Sequence, residues 1–362
     1  MLFSYAYVPH SMEKMQGYID FIFYDVWCTA RGKDYDIGAL FSANAELRDI
    51  ITELHTSEVQ GADFFLTGLQ VIFEDFRPLD DAEIDQLKLW YRSNNDIEGV
   101  CAGNPGLSPA TYEDIAALSP VLAVHLKAFY KNLYSQSFLS LKSVKDRIGE
   151  IDNHFQAFMT RNTKGKCPFC AITDIQGIYH TKREAYDHFL PKDKYPFNTI
   201  NFHNLAPACH KCNSSYKLSA DPLHFHSKNP LASGAGLYRK AFYPYSVRTY
   251  TIELTITLNT VDWTNITPDD IVLDTGPDAI REEIDTWLDI YGIEERYKAK
   301  CCGEHDGKDW IREIVDESEN YYQTPQQYLE GKLKTAANQP WADANFLKRP
   351  FLEACKGRGV FD

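Results

Sequence analysis

Apolar residues recur at steps of three and four along most of the first 160 residues, and this spacing predicts amphipathic helices. Leu47, Ile51 and Leu54 follow Asn44, a good N-cap residue, so a short helix is expected there. A longer stripe predicts one helix that leads into the middle of the chain and anchors it to the N-terminal region: Val144, Ile148, Ile151, Phe155 and Phe158.

The pattern changes in the last third of the chain. Apolar and polar residues alternate between Ile252 and Leu258, which predicts a half-buried strand, and residues 271–273 are expected to form its neighbour. Helical spacing returns after Pro277. The fold class is therefore predicted to be α+β, with a mainly helical region 1–160, a central module 161–236 and a mixed strand and helix region 237–362.

Two Cys-x-x-Cys pairs bracket the central module, Cys167 with Cys170 and Cys209 with Cys212. Zinc readily takes four thiolates, and a two-residue gap lets both sulfurs of a pair face one ion. A redox motif would explain only one pair. Disulfides are typical of secreted chains, whereas the first residues do not resemble a signal peptide. We therefore expect one structural zinc ion, with further structure in the 38 residues between Cys170 and Cys209.

The residues between and beside the cysteine pairs suit a second metal site. Asp187 and Asn213 offer the oxygen ligands that Mg²⁺ prefers. If Asp187 and His188 lie on a strand, their side chains point to opposite faces, so one can bind an ion while the other addresses a water. A neutral imidazole with a pKa of about 6.5 is a suitable general base, and Asn204 can hold it in place by hydrogen bonding.

In their order along the chain, Asp187, His188, Asn204 and Asn213 resemble the motif of the HNH endonucleases, the ββα-metal or His-Me finger nucleases. The resemblance covers the segment from Cys167 to Lys217 and includes the cysteine pairs of the zinc-stapled variants. It implies a ββα-metal module in which His188 is the base and Asn204 orients it. Asp187 and Asn213 would bind a catalytic Mg²⁺ or Mn²⁺. One departure is Lys217, which follows the final Asn one residue later than is usual.

The amino-acid sequence at residues 186–192 and 204–207 is most similar to that of the HNH subunits that accompany an ATPase in Septu-type anti-phage systems. This resemblance implies an effector of bacterial defence against foreign DNA. It also implies an ATPase as the protein partner.

Charge is distributed unevenly along the chain. The net charge is -14, but residues 161–217 hold nine basic and four acidic residues, a net of +5 that leaves -19 elsewhere. Six basic residues are expected to position phosphates without reading bases: Lys182, Arg183, Lys192, Lys194, Lys211 and Lys217. A small basic patch on an acidic body predicts weak binding to DNA alone, so a partner protein or a homo-oligomer is expected to supply further basic surface.

Several alternatives remain open at this point. The sequence does not separate DNA from RNA as the substrate, and a non-catalytic zinc module that binds nucleic acid or protein would also explain the cysteines. His224 and His226 are interpreted as surface or phosphate-facing residues in preference to extra metal ligands. No apolar run is long enough to span a membrane, and the cysteine pattern without an export signal predicts a cytoplasmic protein.

Overall fold

The computed structural model describes residues 1–56, 61–224, 238–247, 250–321 and 324–361. Within these ranges most of the chain is helical, and the named strands form two separate antiparallel sheets of two strands each. The predicted α+β class is confirmed.

Helices build the N-terminal part of the molecule. Their starts follow capping signals in the sequence: Asn44 Oδ1 accepts a hydrogen bond from the Leu47 N–H at 3.1 Å, and Asp80 forms a capping box with Glu83. The helices are α1 (Lys14–Phe21), which continues as a π-helix (Ile22–Trp27), α2 (Ile37–Leu40), α3 (Ala45–Thr56), α4 (Asp63–Phe76), α5 (Asp81–Asn95), α6 (Ile97–Cys101), α7 (Tyr112–Leu118), α8 (Pro120–Leu133), α9 (Gln136–Leu139), α10 (Lys142–Ile148) and α11 (Ile151–Arg161).

The prediction of one helix through residues 144–158 is wrong, because α10 and α11 are separate. Gly149 lies between them with a φ of 82°, in the left-handed region that favours glycine. A Cβ atom at Gly149 would approach Ser11 Oγ to 2.7 Å, and this hydroxyl donates a hydrogen bond to the Ile148 carbonyl at 2.8 Å. The apolar residues are buried on both sides of the break. Their spacing therefore correctly indicated which residues are buried, but it did not indicate that they belong to two helices.

The central module contains a short hairpin followed by a helical turn. Strand β1 (Ala185–His188) pairs with β2 (Leu205–Ala208), with Asp187 opposite Ala206 and His188 opposite Leu205. The chain then enters a π-helical turn, Cys212–Lys217. A strand, a second strand and a helical turn therefore follow one another in the segment that the resemblance covers.

Among its described residues, the C-terminal region holds the second sheet and a series of α-helices. Strand β3 (Glu253–Leu258) pairs with β4 (Ile271–Gly276), which confirms the predicted strand and its neighbour. The helices that follow are α12 (Arg281–Tyr291), α13 (Ile293–Cys302), α14 (Gly307–Asn320), α15 (Pro325–Asn338) and α16 (Asn345–Arg358).

Both flanking regions bond to the central module directly. Tyr5 donates its hydroxyl to the Pro207 carbonyl in β2 at 3.0 Å, and the Trp287 indole on α12 donates to the Phe169 carbonyl at 2.7 Å. Asn94 on α5 donates to the Pro196 carbonyl at 2.9 Å. The boundaries drawn at residues 160 and 236 stay a prediction. No helix in the described part of the chain is both long and apolar enough to cross a membrane.

Candidate active site and metal centre

The four cysteines of the two pairs converge in the core of the central module. Their sulfur atoms all lie within 4.8 Å of one another, and all four residues are buried. The first pair sits in a tight turn, in which the Ala171 N–H donates to the Cys167 carbonyl, and the second pair begins directly after β2. This spacing suits a tetrahedral ion, so the four thiols could hold zinc.

Two side chains of α13 lie against the cysteine cluster, and one of their buried atoms, Arg296 Nη2, has no hydrogen-bond partner. Tyr297 donates its hydroxyl to the Cys170 carbonyl at 2.8 Å, and Arg296 Nη1 lies 3.3 Å from the Cys212 sulfur. Burial alone would lower the pKa of Arg296, but negative charge on Cys212 and Cys170 raises it. A permanent guanidinium beside the cluster offsets part of the charge that four thiolates bring to one zinc ion.

His188 stands at the end of β1 and faces a cleft of about 600 Å³. Its Nε2 lies 3.0 Å from the Thr199 carbonyl. A carbonyl only accepts, so the proton of the neutral ring is on Nε2 and Nδ1 keeps a lone pair. No described residue bonds to Nδ1. The ring of Tyr134 meets the imidazole edge to face, with 4.8 Å between the ring centroids.

The electrostatic surroundings keep His188 neutral. Burial, together with the positive charge of Lys192, lowers the pKa of His188 to about 3. This value differs from the ordinary pKa of about 6.5 on which the sequence argument rested, because the ring is removed from water and has a cation nearby. The imidazole is therefore unprotonated throughout the cellular pH range, and the same low pKa makes it a weaker base than an exposed histidine.

Asp187 lies in the same cleft and has two unlike oxygens. Oδ1 receives a hydrogen bond from the Lys217 ammonium at 2.9 Å, whereas Oδ2 is buried and has no hydrogen-bond partner. Burial raises the pKa of Asp187, and the charge of Lys217 partly counters that effect. Burying a carboxylate oxygen without a partner costs free energy unless a cation or a water molecule binds to it. Asn213 lines the same cleft, so an oxygen-binding cation fits the donor set present.

Asn204 does not touch the His188 ring. Its Oδ1 accepts from the Leu190 N–H at 2.7 Å, and its Nδ2 donates to the carbonyls of Leu190 at 3.0 Å and Asn198 at 3.4 Å. These bonds tie together the two ends of the loop that carries the Thr199 carbonyl. The predicted hydrogen bond from Asn204 to the His188 ring is therefore absent among the described residues, and the two side chains are linked only through this loop.

The six predicted phosphate contacts occupy different environments. Arg183 is paired with Asp152 at 2.6 Å, and Lys194 lies 3.7 Å from Asp221. Lys182 and Lys211 are exposed, while Lys192 is half-buried at the cleft. Lys217 differs from all of them because its side chain is 0% exposed, so its ammonium contacts Asp187 and not the solvent.

His224 bonds through Nδ1 to Asp221 at 3.0 Å, and the described residues bring no third metal-ligating side chain to this pair. His226 and residues 225–237, which include the end of the predicted central module, lie outside the described residues.

Three contributions to the site were not predicted. The Thr199 carbonyl fixes the tautomer of His188, the Tyr134 ring packs on it, and Arg296 faces the cysteine cluster. A backbone carbonyl carries no residue signature, and no motif marks Tyr134 or Arg296. Only the tertiary structure could identify them.

A stretch of 51 residues is 37% identical to the Septu protein PtuB of Bacillus thuringiensis. The match covers 14% of this chain and 19% of that protein, so the chain spans about a fifth of the relative's length. No family model matches the chain, and no solved structure matches it. The chain thus has a short similarity to a Septu protein, in addition to a four-cysteine cluster compatible with zinc.

Proposed function

We propose that this protein is a metal-dependent HNH-type endonuclease that hydrolyses DNA phosphodiester bonds. The observation that carries the proposal is the state of His188, a neutral imidazole whose Nε2 bonds to the Thr199 carbonyl. Its Nδ1 is left for a proton from water in a cleft that Asp187 also lines, and Oδ2 of Asp187 is buried without a hydrogen-bond partner.

The chain's own residues account for much of the chemistry. His188 Nδ1 accepts a proton from a water molecule as its oxygen forms a bond to phosphorus, and the bond to the leaving oxygen breaks. Asn204 and the Thr199 carbonyl keep the ring in the orientation that this transfer requires. Asp187 and Asn213 would hold Mg²⁺ or Mn²⁺, and such an ion would stabilise negative charge on the phosphate and the leaving oxygen.

The cysteine cluster is a structural centre in this proposal. Four buried thiols leave no open position for a substrate, which is typical of structural zinc sites. A non-catalytic zinc module would share this centre. It would not require a neutral histidine beside an unpartnered carboxylate oxygen in an open cleft.

The proposal is tested by cleavage of plasmid DNA and of RNA in Mg²⁺ or Mn²⁺. We expect the wild-type protein to cut DNA and His188→Ala to cut it about 10²- to 10⁴-fold more slowly, the usual contribution of a general base. Zinc content and melting temperature should not change. His203→Ala is the control, since His203 is exposed and stacks on Tyr7 away from the cleft lining. Cleavage by His188→Ala at the wild-type rate would remove His188 from the mechanism, and preferential cleavage of RNA would change the substrate.

We further propose that the enzyme acts in anti-phage defence with a partner ATPase. The similarity to a Septu protein supports the setting, and the charge distribution supports the need for a partner. Since phosphate contacts supply most non-specific DNA affinity, a patch of +5 on a body of -19 binds duplex DNA weakly. The isolated chain should therefore cut slowly at about 150 mM salt, and a partner with basic surface should raise the rate. Rapid degradation of plasmid by the purified monomer at that salt concentration would contradict this part of the proposal.

A further inference from the structure

Lys217 has an unusual position for a lysine. Its side chain is completely buried, and its ammonium donates to Asp187 Oδ1 at 2.9 Å and to the His188 carbonyl at 2.8 Å. An ammonium is rarely removed from water unless its charge is paired and its donors are used. These two bonds place a fixed positive charge beside the carboxylate that the proposed function gives to the catalytic metal ion.

The first consequence concerns the direction of the Asp187 carboxylate. A hydrogen bond to Oδ1 holds the group in one rotamer, and Oδ2 remains without a partner. The second bond, from the Lys217 ammonium to the His188 carbonyl, fixes the backbone at the last residue of β1. One ammonium thus connects the proposed metal ligand to the backbone of the proposed base.

The second consequence concerns charge. Asp187 and Lys217 together carry no net charge, so a divalent ion at Oδ2 meets an adjacent cation. Unlike charges a few ångströms apart in a buried site interact strongly, and like charges repel by a comparable amount. Lys217 must therefore weaken the binding of the ion even as it orients the ligand.

We infer that Lys217 is a positioning residue that makes Asp187 a one-oxygen ligand through Oδ2 and keeps the affinity of the site for divalent cations low. The inference rests on the proposed function, since it concerns the same metal site. It predicts opposite effects on two measurements, because removal of the ammonium strengthens metal binding but releases the carboxylate from its working orientation. A lysine that only filled space would not separate these effects.

The test compares Lys217→Met with Lys217→Gln in the full chain, using Mn²⁺ as the probe and electron paramagnetic resonance to count free ions. Both variants remove the charge, but only glutamine keeps a donor for Asp187 Oδ1. We expect both to bind Mn²⁺ at least tenfold more tightly than the wild type. At saturating Mn²⁺, cleavage should fall about tenfold or more in Lys217→Met and be partly restored in Lys217→Gln. Lys334→Met is the control, because Lys334 is exposed on α15, outside the predicted basic patch and the proposed site.

Asp187→Asn separates failure of the inference from failure of the proposed function. If Asp187→Asn binds Mn²⁺ as the wild type does, the proposed metal site is wrong. If Mn²⁺ binding depends on Asp187 but is unchanged or weaker in the Lys217 variants, the inference about Lys217 is overturned. If Lys217→Met loses its zinc and unfolds, the Mn²⁺ affinity of Lys217→Gln decides the question. Tighter Mn²⁺ binding supports the inference, and unchanged binding overturns it.

Discussion

The two ends of the β1–β2 hairpin and its helical turn contrast in the side chains that they offer to a metal ion, four thiols at one end and a carboxylate, an amide and an imidazole at the other. At the cysteine end, four thiols face one another, and neighbouring carbonyls receive hydrogen bonds from Trp287 and Tyr297. At the cleft end, Asp187 Oδ2 has no partner, and no described residue bonds to His188 Nδ1. A closed centre suits a structural ion, whereas an open one leaves positions for water and substrate.

The helical turn links the two ends. Cys212 begins the turn, Asn213 follows it into the cleft, and Lys217 closes the turn against Asp187. The position of the cleft residues on this turn is therefore linked to the cysteine end. Substitutions at the two ends should therefore have different effects. A change at the cysteine end should alter folding, whereas His188→Ala in the cleft should alter cleavage alone.

The largest effect is expected at the cysteine end. Cys209→Ser should lose zinc and unfold the central module, because the free energy of binding a structural zinc ion, about 10 to 16 kcal/mol in small zinc domains, is also folding free energy. Metal analysis and thermal melting measure this. Cys28→Ser is a matched control, since Cys28 lies outside the cluster. Full zinc content and normal melting in Cys209→Ser would contradict a structural zinc centre, whereas His188→Ala should leave both unchanged.

A smaller effect is expected behind the cleft, at His154. This buried histidine bonds through Nδ1 to the Tyr186 hydroxyl and through Nε2 to the Val8 carbonyl, with His10 and Glu13 as its charged neighbours. Burial lowers the pKa of His154 to about 4, so the folded protein binds fewer protons than the unfolded chain between pH 6.5 and 4. Stability is therefore lost as the pH falls through this window.

The His154 contribution can be isolated with His154→Gln. Of the stability difference between pH 7 and pH 5, about 2 kcal/mol should disappear in this variant, as measured by urea unfolding. His305→Gln, at an exposed site, should retain the wild-type difference. An unchanged difference in His154→Gln would mean that other groups carry the acid sensitivity of the cleft end.

The same contrast separates what the sequence could predict from what it could not. The cysteine cluster follows from residue type and spacing, because few arrangements other than metal binding satisfy two Cys-x-x-Cys pairs. The hairpin likewise places Asp187 and His188 on one strand, as the motif required. The environment of each side chain was beyond the sequence. Lys217 and Lys211 are the same residue type, and only the packing of the helical turn determines that one is buried and the other exposed.

Gly149 and Thr199 illustrate two further limits. Apolar spacing cannot distinguish one helix from two helices that bury the same stripe, and the break at Gly149 packs against Ser11, which is distant in sequence. The Thr199 carbonyl that fixes the tautomer of His188 belongs to the backbone, so any residue could supply it. Long-range packing and backbone groups are the parts of a site that residue types do not encode locally.

The smallest effect is expected at Lys211, which lies between the second pair of cysteines and is held in place by their cluster. If its exposed ammonium contacts phosphate, Lys211→Ala should weaken DNA binding a few-fold and lower the dependence of log K on log salt by about 0.9, the value for one phosphate contact. Fluorescence anisotropy with a short DNA duplex over a series of salt concentrations measures both quantities. Lys334→Ala removes the same charge from an exposed position on α15, outside the predicted patch, and should leave the salt dependence unchanged. Equal losses in the two variants would show that overall charge alone governs binding. A loss confined to Lys211→Ala would mean that the cysteine end, besides stabilising the fold, also presents a cation to DNA.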